Sequence, residues 1–188
     1  MSAPIVAGSL AQVARQKSEG LAAAWLGVSH VVIADVSASM DEKDSRGGRR
    51  RIDVAREELA RLQAEHPGKL ALLCFSGWHR WIPGGVPPEP GSNTDLAGAL
   101  RFAKQVDGTG VRFVVISDGL PDNPDDALEV AREFVDSISC VHVGPEADAS
   151  ARRFLERLAK LGRGTAAASA RAVDLADAVR PMLVGGQG

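Results

Sequence analysis

Four aliphatic runs constrain this chain more than any other feature: VVIAD at 31–35, KLALLCFS at 69–76, RFVVISD at 112–118 and SISCVHV at 137–143. Each has strand length, and each is apolar along its length rather than at every second position. A strand of that kind is covered on both faces, as in a parallel sheet. Between and after the runs lie stretches with helical spacing: IDVAREELARLQAEH, TDLAGALRFAKQV, PDDALEVAREFVDS, ASARRFLERLAKLG and VDLADAVRPML. Boundary signals fit them. Asn123 is placed to cap, Pro124 takes the first helical position with Asp125 and Asp126 in the first turn, and Gly162 follows the last turn of ARRFLERLAKL.

Strand and helix in alternation predict an α/β fold with an open, doubly wound, mostly parallel sheet and helices on both faces. The segment WHRWIP, directly after FSG, is expected to return as a hairpin arm and add one antiparallel edge strand. The first 25 or so residues read as one amphipathic helix ahead of the first strand. A single domain is expected, with a helical extension at 1–27, a body at 28–184 and a tail at 185–188. The stretch PGGVPPEPGSN, Pro83 to Asn93, reads as a rigid surface loop that delivers Thr94.

Composition narrows function. The chain has 188 residues, enough for one substantial core, and a formal charge of -2 from 22 basic and 24 acidic side chains. No global field therefore advertises nucleic acid or an anionic membrane. The dense basic run RGGRRR, Arg46 to Arg51, reads as a solvated loop. Cys74 and Cys140 sit inside apolar runs, where thiols behave as small buried hydrophobes; this suits a reducing, cytoplasmic setting. Neither a secretory leader nor a membrane span is expected.

In an open α/β sheet, ligands bind beyond the carboxyl ends of the strands. Three polar groups are expected there: Asp35-Val-Ser37-Ala-Ser39 after the first strand, Ser92-Asn93-Thr94-Asp95 before a helix, and Ser117-Asp118-Gly119 after RFVVIS. These are hard oxygen donors, suited to Mg²⁺, Mn²⁺ or Ca²⁺ and poorly suited to Zn²⁺ or copper. Taken singly, each passes for a capping or turn residue; the set together argues for a cation. His142 follows Cys140 by two positions and reads as a packed core histidine, while His30, His66 and His79 show no ligand spacing.

The order of these motifs resembles the von Willebrand factor A family with its metal-ion-dependent adhesion site, over about residues 28 to 168. Asp35, Ser37 and Ser39 match its Asp-x-Ser-x-Ser element, Thr94 its second-loop threonine, and Asp118 its third-loop aspartate. The resemblance implies that these five residues hold a divalent cation, foremost Mg²⁺, directly or through water. It further implies that a Glu or Asp carboxylate of a partner protein completes the coordination, without catalysis by the domain. The resemblance implies a bacterial setting beside AAA+ ATPases of the MoxR type or in stress-resistance and phage-conflict modules, and an intracellular, prokaryotic ATPase adaptor is the specific expectation.

One departure is the loop MDEKDSRGGRRR, Met40 to Arg51, longer and more charged than the family's compact turn and expected to overhang the site. It either tunes partner choice or is a plain insertion. Trp78 and Trp81 are expected to pack at the sheet edge rather than to anchor a partner. Two alternatives stand beside the adhesion reading. One is a Mg²⁺-dependent phosphatase or phosphotransferase, although Ser37 stands where the haloacid dehalogenase type places its general acid. The other is a scaffold without a functional metal. Nucleotide-binding, serine-hydrolase and zinc-protease motifs are absent from the sequence.

Overall fold

In the computed structural model, which describes residues 4–44, 48–143, 149–169 and 175–184, the four aliphatic runs form the inner strands of one sheet. They are β1 (His30–Asp35), β2 (Leu70–Phe75), β4 (Arg112–Ser117) and β5 (Ile138–Val143). The outer strands are β3 (His79–Trp81) and β6 (Arg163–Ser169), giving the order β3-β2-β1-β4-β5-β6. Only β3 runs antiparallel, pairing Trp81 with Leu73 and His79 with Phe75; the other pairings are parallel. The hairpin arm expected from WHRWIP is therefore present.

The inner strands lack alternation because both faces are covered. In β1, Val31 and Ile33 join one core, while Val32 and Ala34 join the other. The first core lies under α4 (Leu96–Ala103), α5 (Pro124–Arg132) and α6 (Ala149–Leu161), the second under α3 (Arg51–Glu65) and α7 (Leu175–Val184). Each fully buried aliphatic side chain contributes about 1.5–3 kcal/mol of transfer free energy, so polar substitution on either face is costly. Asn123 caps α5 as its sequence promises, accepting from the Asp126 amide at 3.2 Å, with Pro124 at the first position.

Two expectations need correction. The amphipathic N-terminal segment is two short helices, α1 (Leu10–Gln16) and α2 (Leu21–Trp25), not one. Ser18 adopts φ 55 and Gly20 is extended at the start of α2, so the chain turns between the two helices. At the end of α2 the Trp25 ring meets Trp81 edge-on, with centroids 4.7 Å apart; Trp81 in turn lies 5.8 Å from Phe102. Trp81 is thus packed at the sheet edge as expected, and Trp78 lies under the Arg80 guanidinium at 4.6 Å. The tail at 185–188 falls outside the described residues.

The second correction is β6, which the sequence pattern did not reveal. Its residues, RGTAAAS, include no large aliphatic, and its register against β5 shifts between Ile138 and Cys140. Close backbone approach holds it instead: a Cβ on Gly164 would sit 2.1 Å from the Ile138 carbonyl oxygen. Arg163, at φ 56, turns the chain in and donates to the carbonyls of Phe134 and Val135. Gly164→Ala is therefore expected to push the edge strand away and cost about 1–3 kcal/mol, read as a lower midpoint in urea denaturation. An unchanged midpoint would mean that this approach is not needed.

Candidate metal centre

The chain leaves β1 to build β2 and β3 on one side, then returns to lay β4 on the other side of β1. The connections after β1 and β4 consequently diverge, and the crevice between them is the natural ligand position of an open sheet. Asp35 is the last residue of β1, and Asp118 directly follows β4. Ser37 and Ser39 lie at the turn after β1, where Ala38–Asp41 coils into a 3₁₀ helix.

This turn is organised by Asp35 itself. One carboxylate oxygen accepts from the Ser37 amide at 2.8 Å, and the other accepts from the Ser117 hydroxyl at 2.6 Å. The Ser37 and Ser39 hydroxyls lie 3.1 Å apart, and Ser39 donates to Asp118 Oδ1 at 2.7 Å. Asp35, Ser37, Ser117 and Asp118 are all buried. Burial, and after it the charge of Asp118, pushes the Asp35 carboxyl up to about 6 against the pull of its serine hydrogen bonds. Two acids have been placed together where water solvates them poorly.

Thr94 arrives from the other direction. Its amide donates to the Asp122 carboxylate and its carbonyl accepts from the Asp122 amide, both at 3.1 Å, so its loop is tied to the one after β4. The Pro83–Asn93 stretch is clamped in turn: the Gly91 amide donates to the Val36 carbonyl at 2.7 Å, and the Ser76 hydroxyl donates to the Asn93 carbonyl at 3.0 Å. The loop so held ends at Thr94, just ahead of α4. Its hydroxyl, however, makes no hydrogen bond to the serines or to either aspartate.

Three comparisons bear on this arrangement. No protein-family model matches the chain, and no curated protein does. Solved structures do. A von Willebrand factor type A protein from Catenulispora acidiphila superposes with TM-score 0.54 at 18% identity, over 81% of this chain and 41% of that one. The manganese-loaded TRAP protein of Plasmodium vivax gives 0.57 at 14% identity, over 83% and 73%. The vWF domain of a type V pilus tip protein from Porphyromonas gingivalis gives 0.56 at 12% identity, over 82% and 93%. This chain has the von Willebrand factor A fold. It spans about two fifths of the Catenulispora protein's length.

Within the A-domain fold, the donor set fits a hard cation. Neighbouring ligands on an octahedral Mg²⁺, each about 2.1 Å from the metal, are about 3.0 Å apart. The Ser37–Ser39 and Ser39–Asp118 oxygen separations, 3.1 and 2.7 Å, lie close to that edge length. Among the described residues no three His, Cys, Asp or Glu converge, and the oxygens gathered here are those of two carboxylates and the serine hydroxyls. Cys74 and Cys140 are free and buried, and burial pushes both thiols up, away from metal-binding thiolate.

Two members of the cluster were not selected from sequence. Ser117 stands beside Asp118 in the sequence without being an expected ligand; its hydroxyl holds Asp35. Arg51 belonged to a run expected to be solvated, and the structure overturns that for the end of the run. Arg51 opens α3 with a side chain only 6% exposed, and its Nη1 donates to Asp118 Oδ2 at 2.8 Å. Arg50 pairs with Asp41, Asp53 and Glu89, and Arg49 with Glu57; Arg46 lies outside the described residues. The missed signal was electrostatic: two buried acids require a counter-charge, and a basic run between them in sequence was its nearest source.

Proposed function

We propose that this A domain is a binding module that holds a divalent cation, foremost Mg²⁺, at Asp35, Ser37, Ser39, Thr94 and Asp118, and uses it to engage a carboxylate of a partner protein. The observation that carries this is the convergence of two buried aspartates and two serine hydroxyls at the β1/β4 switch point. The donor set contributes only two carboxylates, one of them shared with Arg51, so a bound cation would keep affinity for a further anionic oxygen. A manganese-loaded protein among the structural neighbours supports the choice of a hard cation.

Binding without catalysis is supported by the side chain at position 37. A phosphotransfer site of the dehalogenase type needs an acid there to move a proton, and Ser37, whose hydroxyl faces Ser39, cannot supply one at neutral pH. The finer expectation, an adaptor for a MoxR-type AAA+ ATPase in a prokaryotic cytoplasm, rests on the resemblance, and the single domain across 1–188, with its body at 28–184, on the length and pattern of the sequence. Two unpaired buried thiols suit a reducing compartment. Among the described residues no helix is long and apolar enough to cross a membrane.

Isothermal titration of Mg²⁺ and Mn²⁺ into chelator-treated protein tests the reading. Saturable binding is expected, with Asp35→Ala reducing it at least about a hundredfold while the domain remains folded. Binding of equal strength in the folded variant would remove the site from this crevice.

A further inference from the structure

The strongest feature that the metal reading does not use is Arg51. Its guanidinium reaches in from the first turn of α3 and is almost wholly covered, and the Asp118 side chain that it meets is 0% exposed. Both Asp118 oxygens are then engaged, Oδ1 accepting from Ser39 and Oδ2 from Arg51. The rest of the guanidinium gathers the loop after β1: Nε donates to Asp44 at 2.8 Å, Nη2 to Glu42 at 2.9 Å and also to Asp44, and Nη1 lies 3.4 Å from the Ser39 carbonyl. One side chain thus carries a fixed positive charge beside the oxygens that a cation would share, and it ties Glu42 and Asp44 to them.

We propose that Arg51 is a resident counter-cation of this site: it neutralises Asp118 while no metal is bound, opposes entry of a divalent ion, and couples occupancy of the site to the loop bearing Glu42 and Asp44. The inference rests on the cation reading above. The guanidinium of Arg51 cannot lose its proton in the working pH range, so the charge is permanent. A divalent ion binding at Ser39 and Asp118 must accept that charge as a neighbour or draw Asp118 away from it. Both lower its affinity. A domain built this way binds metal weakly alone and more tightly when a partner adds negative charge.

The test is Mg²⁺ titration of the wild type, Arg51→Gln, Arg51→Lys and Asp35→Ala, combined with ¹⁵N NMR of the Arg51 Nε–H signal in the wild type. Arg51→Gln removes the charge and keeps a donor for Asp118; it should bind Mg²⁺ about tenfold tighter or more. Arg51→Lys keeps the charge though not the two-pronged contact to Asp44, and should gain no more than about threefold over the wild type. The Arg51 signal should shift as the wild type saturates, and this decides the matter if Arg51→Gln does not fold.

Binding in Arg51→Gln that is equal to or weaker than the wild type, or an unmoved Arg51 signal at saturation, would overturn the inference and leave Arg51 as a residue that positions Asp118. Where the wild type still binds and Asp35→Ala does not, the metal reading survives that result. If neither the wild type nor Arg51→Gln binds Mg²⁺, the reading of the site fails and the inference fails with it.

Discussion

Asp35→Asn is expected to stabilise the metal-free protein at neutral pH while abolishing its cation binding. The Asp35 carboxyl is raised from 3.8 to about 6, chiefly by burial and secondarily by Asp118. Between these values the folded state holds more protons than the unfolded state, so by linkage this group's contribution falls as pH rises from about 4 to about 6 and stays low above that. The full penalty at neutral pH is on the order of 3 kcal/mol. Asparagine keeps the local bonds: its carbonyl oxygen accepts from the Ser37 amide, and its amide donates to the Ser117 hydroxyl, which rotates to accept.

The variant should therefore gain on the order of 2 kcal/mol over the chelator-treated wild type at neutral pH, with the difference closing as pH falls toward 4. In a chain of this length that is a rise of about 4–8 °C in Tm. Saturating Mg²⁺ should then stabilise the wild type and leave the variant unmoved, since only the ionised carboxylate attracts the metal. Thermal denaturation across that pH range with and without Mg²⁺ reads all three effects. An asparagine variant less stable than the wild type at neutral pH would show that the Asp35 charge is already compensated.

The second large effect lies in the sheet beneath the site. Phe113 is fully buried in β4, opposite Val31 of β1 and Ile138 of β5, and its ring meets Phe134 edge-on with centroids 5.0 Å apart. Phe113→Ala empties that position at the centre of the sheet, where neighbouring strands cannot collapse inward without breaking register. A loss of about 3–5 kcal/mol is expected, a large share of the roughly 5–15 kcal/mol that holds a domain of this kind. Urea denaturation measures it. The folded fraction should keep its Mg²⁺ affinity, because Asp118 lies beyond the carboxyl end of the strand; a lost affinity at preserved fold would tie the site to core packing directly.

Much of this molecule was legible before its structure. Continuous aliphatic runs name the inner strands because both faces are covered, and periodicity with caps such as Asn123 names the helices, because these signals are local in the chain. Asp35, Ser37, Ser39 and Asp118 could be selected for the same reason: they stand at strand ends, where an open sheet collects its ligands. Thr94 was placed at the rim, but its hydroxyl's relation to the others depends on how two loops lean together.

What sequence could not give depends on contacts between segments far apart in the chain. β6 forms because Gly164 lets two backbones approach closely, and a run of small residues carries no hydrophobic signal for that. Arg51 stands 67 residues from Asp118 in a run that looks solvated, and only the fold turns it inward. The sequence by itself determined the inner strands, the helices from α3 onward and which acids stand at the crevice, since those follow from local pattern. The tertiary structure alone decided how the acids are neutralised, because a buried charge selects its partner by distance in space.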